Sequence, residues 1–138
     1  MIDIDILTLI PQKPPFIAVD KLIYCDKINA KSSFLIDKDS IFAEKEELSE
    51  AGIIENFAQT CAARLTYLNQ DEGVKIGMIG SVDKIEIFSR PKVNSLLETN
   101  ITVAAEVMNF LLIEAFSESE GKTVACCKMK IFLTDINV

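Results

Sequence analysis

Residues 49–68 read SEAGIIENFAQTCAARLTYL, and this stretch decides the fold of the chain. Its apolar side chains recur at spacings of three and four, which is typical of a helix with one apolar stripe. The members of the predicted stripe are Ile54, Phe57, Ala58, Cys61, Ala62, Leu65 and Leu68. Ser49 is a favourable N-cap residue, and the helix is expected to end near Asn69, before the Asp-Glu-Gly sequence at 71–73.

Alternation of apolar and polar residues, which is typical of strands, precedes this helix. Residues 16–25 and 28–36 form two such runs, and the short polar break between them predicts an antiparallel hairpin. A short helical turn is expected before the hairpin, over residues 3–9 behind Asp3.

Strand patterns return after the helix. Residues 76–89 form one, and residues 97–107 form a longer one. Because residues 110–116 are apolar again, we expect this longer strand to bend near Asn109 rather than to stop. The last strand alternates over residues 125–133.

One apolar helix and a large antiparallel sheet bury each other most simply if the sheet curls around the helix. The predicted fold class is therefore α+β, a curled antiparallel sheet wrapped around one central helix in a single domain over residues 1–138. The helix positions expected to be buried are Ile54, Phe57, Ala58, Cys61 and Leu65. The sheet positions expected to face them include Ile101, Val103, Cys127, Met129 and Ile131.

The composition narrows the possible functions. The chain has 138 residues, of which 49% are hydrophobic and 25% charged, so we expect a globular domain rather than a disordered chain. It contains no histidine, which excludes histidine-dependent nucleophiles and general bases within this chain. The 21 acidic residues against 14 basic ones argue against a nucleic-acid partner. No apolar run reaches the ~20 residues that span a bilayer and no basic leader is visible, so a cytoplasmic protein without a membrane partner is expected.

Four cysteines, Cys25, Cys61, Cys126 and Cys127, show no CxxC spacing. We interpret them as buried thiols of a reducing compartment. Residues 37–50 hold six acids and two lysines, and a solvated lid or linker explains them better than a metal site, since no regular ligand loop is present. Neither a metal nor a cofactor is expected.

Three motifs add a family resemblance. Residues 9–21, LIPQKPPFIAVDK, resemble the N-terminal LPHRxPFLLVDR motif of 3-hydroxyacyl-ACP dehydratases. Residues 52–59, GIIENFAQ, resemble their GxxxIIEAxAQ helix, and residues 82–91, VDKIEIFSRP, resemble their GIDKxRFKRPV strand. The motifs occur in the family's order and cover nearly the whole chain. Within the family, the branch of the aryl-polyene and flexirubin pigment pathways is the most similar.

The resemblance implies the hotdog fold and usually a dimer, with acyl-thioester sites at the subunit interface. The implied substrates are thioesters of acyl carrier protein or CoA, in fatty-acid or polyene-type biosynthesis. A homodimer is expected, and pairing with a histidine-bearing hotdog partner is the alternative.

The chain departs from the family's pattern at both of its histidines. The catalytic histidine belongs fourteen residues before the helix glutamate, where this chain has Ile41, followed by the Phe42 that the family shares. The second histidine is replaced by Gln12, whose amide can donate a hydrogen bond to an acyl carbonyl. The glycine near which the thioester carbonyl binds aligns with Glu50, although Gly52 lies close by. Gln12, Phe42 and Gly52 are therefore candidate substrate-binding residues.

Glu55 matches the family's catalytic carboxylate, and its helical position agrees with such a role. It lies about 100° from Ile54, at the edge of the apolar stripe, with Gln59 one turn further along the same edge. A carboxylate at the rim of an apolar surface is well placed to exchange a proton with a bound substrate. Glu55 is the candidate catalytic residue and Gln59 a candidate substrate-binding residue; a solvated helix glutamate explains the pattern equally well.

Arg90 and Lys92 flank Pro91 and form a basic corner in this acidic chain. Acyl carrier proteins are acidic, so this corner is a candidate carrier-docking site. A solvated turn is the simpler interpretation of the same residues.

Two functions of different classes follow. As an enzyme, the chain is expected to be a lyase of the 3-hydroxyacyl-ACP dehydratase type, a reaction that the resemblance assigns to a histidine and the helix carboxylate together. With Glu55 alone, three routes remain: Glu55 acts with Gln12 and water, Glu55 activates water as in hotdog thioesterases, or a histidine-bearing partner completes the site. The alternative is a non-catalytic acyl-binding or scaffolding subunit, which the lack of histidine favours.

Overall fold

The computed structural model describes residues 2, 4–69 and 76–134. A 3₁₀ turn at Ile6–Thr8 comes first and is capped by Asp5, whose carboxylate accepts a hydrogen bond from the Leu7 amide at 3.0 Å. The predicted cap, Asp3, lies outside the described residues. The strands are β1 Lys21–Cys25, β2 Asn29–Leu35, β3 Ala43–Glu44, β4 Glu47–Leu48, β5 Ile76–Ile87, β6 Leu96–Val107, β7 Phe110–Ser119 and β8 Lys122–Thr134; the helix α1 covers Glu50–Leu68.

Six of these strands form one antiparallel sheet in the order β1-β2-β6-β7-β8-β5, and β3 pairs with β4 in a separate small hairpin. Helix α1 contacts β1, β2, β5 and β6, so it lies across the face of the sheet. A sheet of this kind around one helix confirms the predicted α+β fold class. Among the described residues, no helix combines the length and the apolar character that a membrane crossing requires.

The predicted sheet face is confirmed. Ile101, Cys127, Met129 and Ile131 are buried, and Val103 is half-buried at the edge of the core. Along β8, Cys127, Met129 and Ile131 alternate with the more exposed Lys128, Lys130 and Phe132, because successive side chains of a strand point to opposite faces.

The ends of α1 are also as predicted. The Ser49 hydroxyl accepts a hydrogen bond from the Gly52 amide at 3.1 Å, and the Asn69 amide donates to the Thr66 carbonyl oxygen at 3.1 Å. The Asp-Glu-Gly sequence at 71–73 lies outside the described residues. Both ends are set by local capping chemistry, which a sequence displays directly.

The face that α1 turns toward the sheet is more polar than predicted. Phe57 and Cys61 are buried, but Ile54, Ala58 and Leu65 are only half-buried. Besides Phe57, the fully buried helix positions are Ile53, Asn56, Gln59, Thr60 and Ala63, none of which was among the predicted ones.

Hydrogen bonds across the interior explain this rotation of the buried face. The Thr60 and Ser32 hydroxyls are 2.7 Å apart, and the Thr99 hydroxyl donates to the Asn56 side-chain oxygen at 2.6 Å. The Arg64 guanidinium, also buried, donates to the Lys27 carbonyl oxygen at 2.7 Å. Buried polar groups are tolerated when they are paired in this way.

The first strand is shorter than predicted. Residues 16–20 lie outside β1, since the backbone amide and carbonyl of Ala18 are bonded to helix side chains and not to a neighbouring strand. A register shift between Leu22 and Tyr24 then buries Leu22, while Ile23 is only half-buried.

The expected bend near Asn109 is wrong, because the strand stops there. Val107 pairs with Phe110, so β6 and β7 form a tight antiparallel hairpin, with Met108 at a positive φ of 53°. Apolar residues continue along both strands up to the turn, although Val107 is 43% exposed there, and the turn itself lacks glycine and proline. The apolar pattern therefore gave no sign of the reversal.

The cysteines follow the prediction in part. All four are free thiols and Cys61 and Cys127 are buried, but Cys25 and Cys126 are only half-buried. Burial raises the pKa of Cys61 to about 12 and the pKa values of Cys25 and Cys127 to about 11. These three thiols stay protonated and unreactive near neutral pH.

Candidate functional site

Glu55 lies in the second turn of α1 and is half-buried. One of its carboxylate oxygens, Oε1, accepts a hydrogen bond of 3.0 Å from the side-chain nitrogen of Gln59, one turn further along the helix. Its neighbours on the helix surface, Ile54 and Ala58, are half-buried apolar residues. The structure thus places Glu55 at the edge of an apolar surface, as its helical position predicts.

Gln59 lies behind Glu55, with no exposed surface. Its side-chain oxygen accepts a hydrogen bond from the Ala18 amide at 2.8 Å, and its nitrogen donates to the Phe16 carbonyl oxygen at 2.8 Å as well as to Glu55. A fully buried side chain touches a substrate only after a rearrangement. The direct substrate contact predicted for Gln59 is therefore not supported.

Asn56 is a second link between the helix and the N-terminal segment. Its side-chain nitrogen donates to the Ala18 carbonyl oxygen at 2.7 Å. Asn56 and Gln59 together bind both backbone groups of Ala18, in the way that a neighbouring strand would. Sequence reasoning missed this role; the available signal was two amides three residues apart on one helix.

The segment held by these amides leads to Gln12 and Phe16. The Pro14–Pro15 peptide bond is cis, and the Phe16 side chain is 57% exposed although its carbonyl oxygen is bonded to Gln59. Gln12 is half-buried, and its side-chain oxygen is buried without a hydrogen-bond partner among the described residues. Gln12 therefore remains a candidate for substrate binding, but no hydrogen bond joins it to Glu55.

Gly52 allows the helix N-terminus to approach the segment that precedes it. A Cβ atom at this position would lie 2.6 Å from the Leu48 Cδ1 atom and 2.8 Å from the Phe42 Cβ atom. Phe42 is half-buried against the core, so the structure does bring Phe42 and Gly52 together. The Gly52 amide itself is already bonded to Ser49 and is not free to hold a carbonyl oxygen.

Arg90 fixes the small hairpin that lies between Phe42 and the helix. Its guanidinium donates to the Leu48 carbonyl oxygen at 3.0 Å and lies 3.9 Å from the carboxylates of Glu44 and Glu47. The backbone adds further bonds between the same segments, including one of 2.8 Å from the Leu48 amide to the Pro91 carbonyl oxygen. Arg90, one of the two residues predicted to dock a carrier, is thus occupied by contacts within this chain.

Lys92 is exposed beside this anchored arginine. Its backbone forms a bridge with Glu47, which belongs to the same hairpin. Of the two residues in the predicted basic corner, Lys92 is the one that presents its charge to solvent.

An open groove of about 800 Å³ lies beside the N-terminal segment. Pro14, Pro15 and Ile17 form part of its wall. The charged residues that line it are four aspartates and one lysine, namely Asp5, Asp20, Asp37, Asp39 and Lys38. Burial raises the pKa of Asp20, although the Leu35 amide donates to it at 2.6 Å. A groove of this charge repels phosphate groups, and Glu55 is not among the residues that line it.

The described residues contain no cluster of three or more potential metal-binding side chains. The arrangement around Glu55 consists of one oriented carboxylate, an apolar rim and a fixed N-terminal segment. Chemically, such a carboxylate can give or take one proton.

Three solved structures show the same fold at low sequence identity. The dehydratase heterocomplex ApeI:P from Xenorhabdus doucetiae matches with a TM-score of 0.85 and 14% identity, over 96% of this chain and 92% of that chain. A hypothetical thioesterase with coenzyme A from Streptococcus pneumoniae matches with a TM-score of 0.69 and 10% identity, over 83% and 84% of the two chains. A sigma28-regulated virulence protein from Campylobacter jejuni matches with a TM-score of 0.73 and 15% identity, over 96% and 98%.

Sequence comparison identifies the family, whereas the structural matches at low identity show only the fold. No curated protein sequence matches the chain significantly. The family model ApeP-like, described as ApeP dehydratase, matches residues 4–136. The chain therefore belongs to the ApeP-like dehydratase family, which confirms the resemblance to hotdog dehydratases of the aryl-polyene pathway.

Proposed function

We propose that this chain is one subunit of a 3-hydroxyacyl-thioester dehydratase, in which Glu55 supplies the carboxylate and a histidine-bearing hotdog partner supplies the base. The observation that carries the proposal is an oriented, half-buried carboxylate in a chain without histidine. The ApeI:P structure, a dehydratase heterocomplex, supports a two-chain site.

The reaction needs two proton transfers. The base removes a proton from C2 of the acyl chain, the bond between C3 and its hydroxyl oxygen breaks, and protonated Glu55 gives its proton to the departing hydroxyl. Water and a 2,3-enoyl thioester are the products. Since the Gln59 nitrogen occupies one carboxylate oxygen of Glu55, the other oxygen is the one that faces the substrate.

Two features of the fold suit pairing with a second chain. Strand β5 is at the edge of the sheet, where its outer backbone groups have no neighbour among the strands that the structure describes. Ile54, Ala58 and Leu65 form a half-buried apolar stripe beside Glu55. A second copy of the chain would cover these features in a homodimer, but only a histidine-bearing partner also adds the missing base.

The substrate is a 3-hydroxyacyl group carried as a thioester on acyl carrier protein or CoA. The carrier approaches from the side of Lys92, since the groove beside the N-terminal segment is acidic. Both carriers bear a phosphate, which an exposed lysine attracts and four aspartates repel.

Activity measurements with and without the partner test the proposal. The chain is purified alone and also co-expressed with a histidine-bearing hotdog protein of the same organism, and enoyl-thioester formation is followed from 3-hydroxyacyl thioesters. We expect the chain alone to be inactive, the complex to be active, and the Glu55→Gln complex to lose activity at least ~100-fold because an amide is far too weak an acid to protonate the departing hydroxyl.

Glu106→Gln is the matched control. Glu106 is an exposed carboxylate on strand β6 and not on α1, so its amide variant should keep full activity. Full turnover by the Glu55→Gln complex would refute the catalytic assignment.

The non-catalytic alternative keeps one specific argument, which is the absence of histidine from the sequence. It requires acyl carriers to bind the complex without any turnover. Binding of a 3-hydroxyacyl carrier, together with no enoyl product from wild-type complex, would favour this function over the dehydratase.

A further inference from the structure

The amide of Gln59 meets three groups whose chemistry fixes its orientation. The Ala18 amide can only donate, so it requires the Gln59 oxygen, which lies 2.8 Å away. The Phe16 carbonyl oxygen can only accept, so it requires the Gln59 nitrogen, also at 2.8 Å. If the amide were flipped, its nitrogen would face the Ala18 amide, donor against donor, and its oxygen would face the Phe16 carbonyl oxygen, acceptor against acceptor.

This fixed orientation determines what Glu55 meets. A side-chain amide nitrogen has two hydrogens, and one of them is used by Phe16. The second is directed at Glu55 Oε1, at 3.0 Å. Gln59 therefore always offers a donor to Glu55, and the backbone of the N-terminal segment enforces it.

The burial of Gln59 makes this contact durable. The side chain has no exposed surface, so water does not compete for its hydrogens. Glu55 itself is half-buried, and its second oxygen has no hydrogen-bond partner among the residues that the structure describes. The position of the carboxylate thus depends on the one contact with Gln59.

We infer that Gln59 is a positioning residue that holds one oxygen of Glu55 and leaves the other for the substrate. The inference rests on the proposed function, in which Glu55 is the group that reacts. It assigns Gln59 a role through Glu55 and replaces the direct substrate contact expected from the sequence.

The variant Gln59→Met tests this role, because methionine has a similar length and no hydrogen to donate. In the complex with the partner, kcat should fall roughly 10- to 100-fold, as expected when a reacting group is misplaced by about 1 Å, while KM changes less than about twofold. Gln59→Glu is a second variant of nearly the same volume. Its single O–H hydrogen cannot serve both Phe16 and Glu55, so kcat should also fall.

Thr99→Val is the control for general destabilisation. It removes the donor to Asn56 and disturbs the same network, but Thr99 does not contact Glu55. We expect Thr99→Val to lower the melting temperature while keeping kcat within about twofold. If Thr99→Val and Gln59→Met lose kcat in proportion to their loss of stability, Gln59 is merely structural and the inference is wrong.

A crystal structure of Gln59→Met provides a readout that does not need activity. We expect the Glu55 carboxylate to leave its present position or to adopt several rotamers, whereas it should stay in place in Thr99→Val. An unmoved Glu55 in Gln59→Met would overturn the inference whatever the activity. Inactive wild-type complex would instead refute the proposed function and leave this structural comparison to decide the role of Gln59.

Discussion

The hydroxyl of Thr99 in β6 donates a 2.6 Å hydrogen bond to the side-chain oxygen of Asn56 in α1, and both residues are fully buried. The Asn56 nitrogen passes the connection on to the Ala18 carbonyl oxygen. A chain of two hydrogen bonds thus joins the sheet, the helix and the N-terminal segment. Glu55 and Gln59 belong to the helix that this chain fixes.

Thr99→Val should therefore destabilise the folded chain. The substitution keeps the shape but leaves the buried Asn56 oxygen without its donor, so we expect the free energy of unfolding to fall by about 1–3 kcal/mol. Thr102→Val is the matched control on the same strand, since the Thr102 hydroxyl makes an exposed 3.1 Å bond to Asn29. The free energy of unfolding of Thr102→Val should fall by less than about 0.5 kcal/mol. Urea unfolding of both variants measures the difference, and equal losses would show that the buried bond contributes no more than the exposed one.

Gly52→Ala should destabilise the chain although alanine is the better helix former. The new methyl group would meet the Phe42 Cβ atom, which moves only with its backbone. We expect a net loss of about 1–2 kcal/mol, because this overlap exceeds the helix-propensity gain of about 1 kcal/mol.

Gly80→Ala makes the comparison specific. A Cβ atom at Gly80 would meet the Phe132 ring, which is 38% exposed and packs against Phe110; as the far end of a side chain it can shift more easily than a Cβ atom. Thermal unfolding should show a smaller loss for Gly80→Ala than for Gly52→Ala. The reverse order would mean that the region around Phe42 adapts more easily than its burial indicates.

Alkaline pH should destabilise the fold through Cys61. Burial raises the pKa of this thiol from 9.0 to about 12, so the folded state favours the neutral form. The stabilisation is complete below pH 9 and is lost as the pH rises from 9 toward 12, at up to roughly 1.4 kcal/mol per pH unit.

Cys61→Ala isolates this contribution. At pH 7.5 the variant should be less stable than wild type by about 1 kcal/mol, because it leaves a small cavity. The difference in the free energy of unfolding between wild type and variant should narrow between pH 9 and 10.5, because only the wild type then loses stability by ionising this thiol. Urea unfolding at three pH values measures it, and a gap that stays constant would contradict the expected titration.

Lys92→Glu should weaken the use of carrier-bound substrates by the complex. Arg90 is engaged by Glu44 and Glu47, so Lys92 offers the exposed charge of the basic corner. We expect KM for acyl-ACP to rise roughly 3- to 10-fold, with little change for an uncharged acyl thioester that lacks a phosphate. Lys122→Glu, at another exposed lysine, is the control. Equal KM values for wild type and Lys92→Glu would remove the basic corner from the list of docking sites.

The features that the sequence predicts correctly are local ones. Ser49 and Asn69 act on backbone groups within three residues, and the alternation from Ile101 onward follows from strand geometry alone. The half-buried position of Glu55 follows from counting along one helix.

The polar contacts could not be predicted because their partners are distant in sequence. The bonds of Asn56 and Gln59 to residues 16–18 cross 38 to 43 positions, and no short-range pattern records them. For the same reason Gln59 was expected to face the substrate. Only the packed structure shows that its amide is already used.

The buried hydrogen bonds of α1 have a consequence for how the helix is seated. Apolar contacts alone tolerate a small roll or slide of a helix, since any methyl group fills space about as well as its neighbour. The pairs Thr60–Ser32 and Asn56–Thr99 tolerate neither, because a hydrogen bond fails when its atoms move by about 1 Å. Together they set the rotational register of the helix to within a fraction of a turn, and either pair still holds the helix when the other is lost; the Glu55 carboxylate itself is held by Gln59.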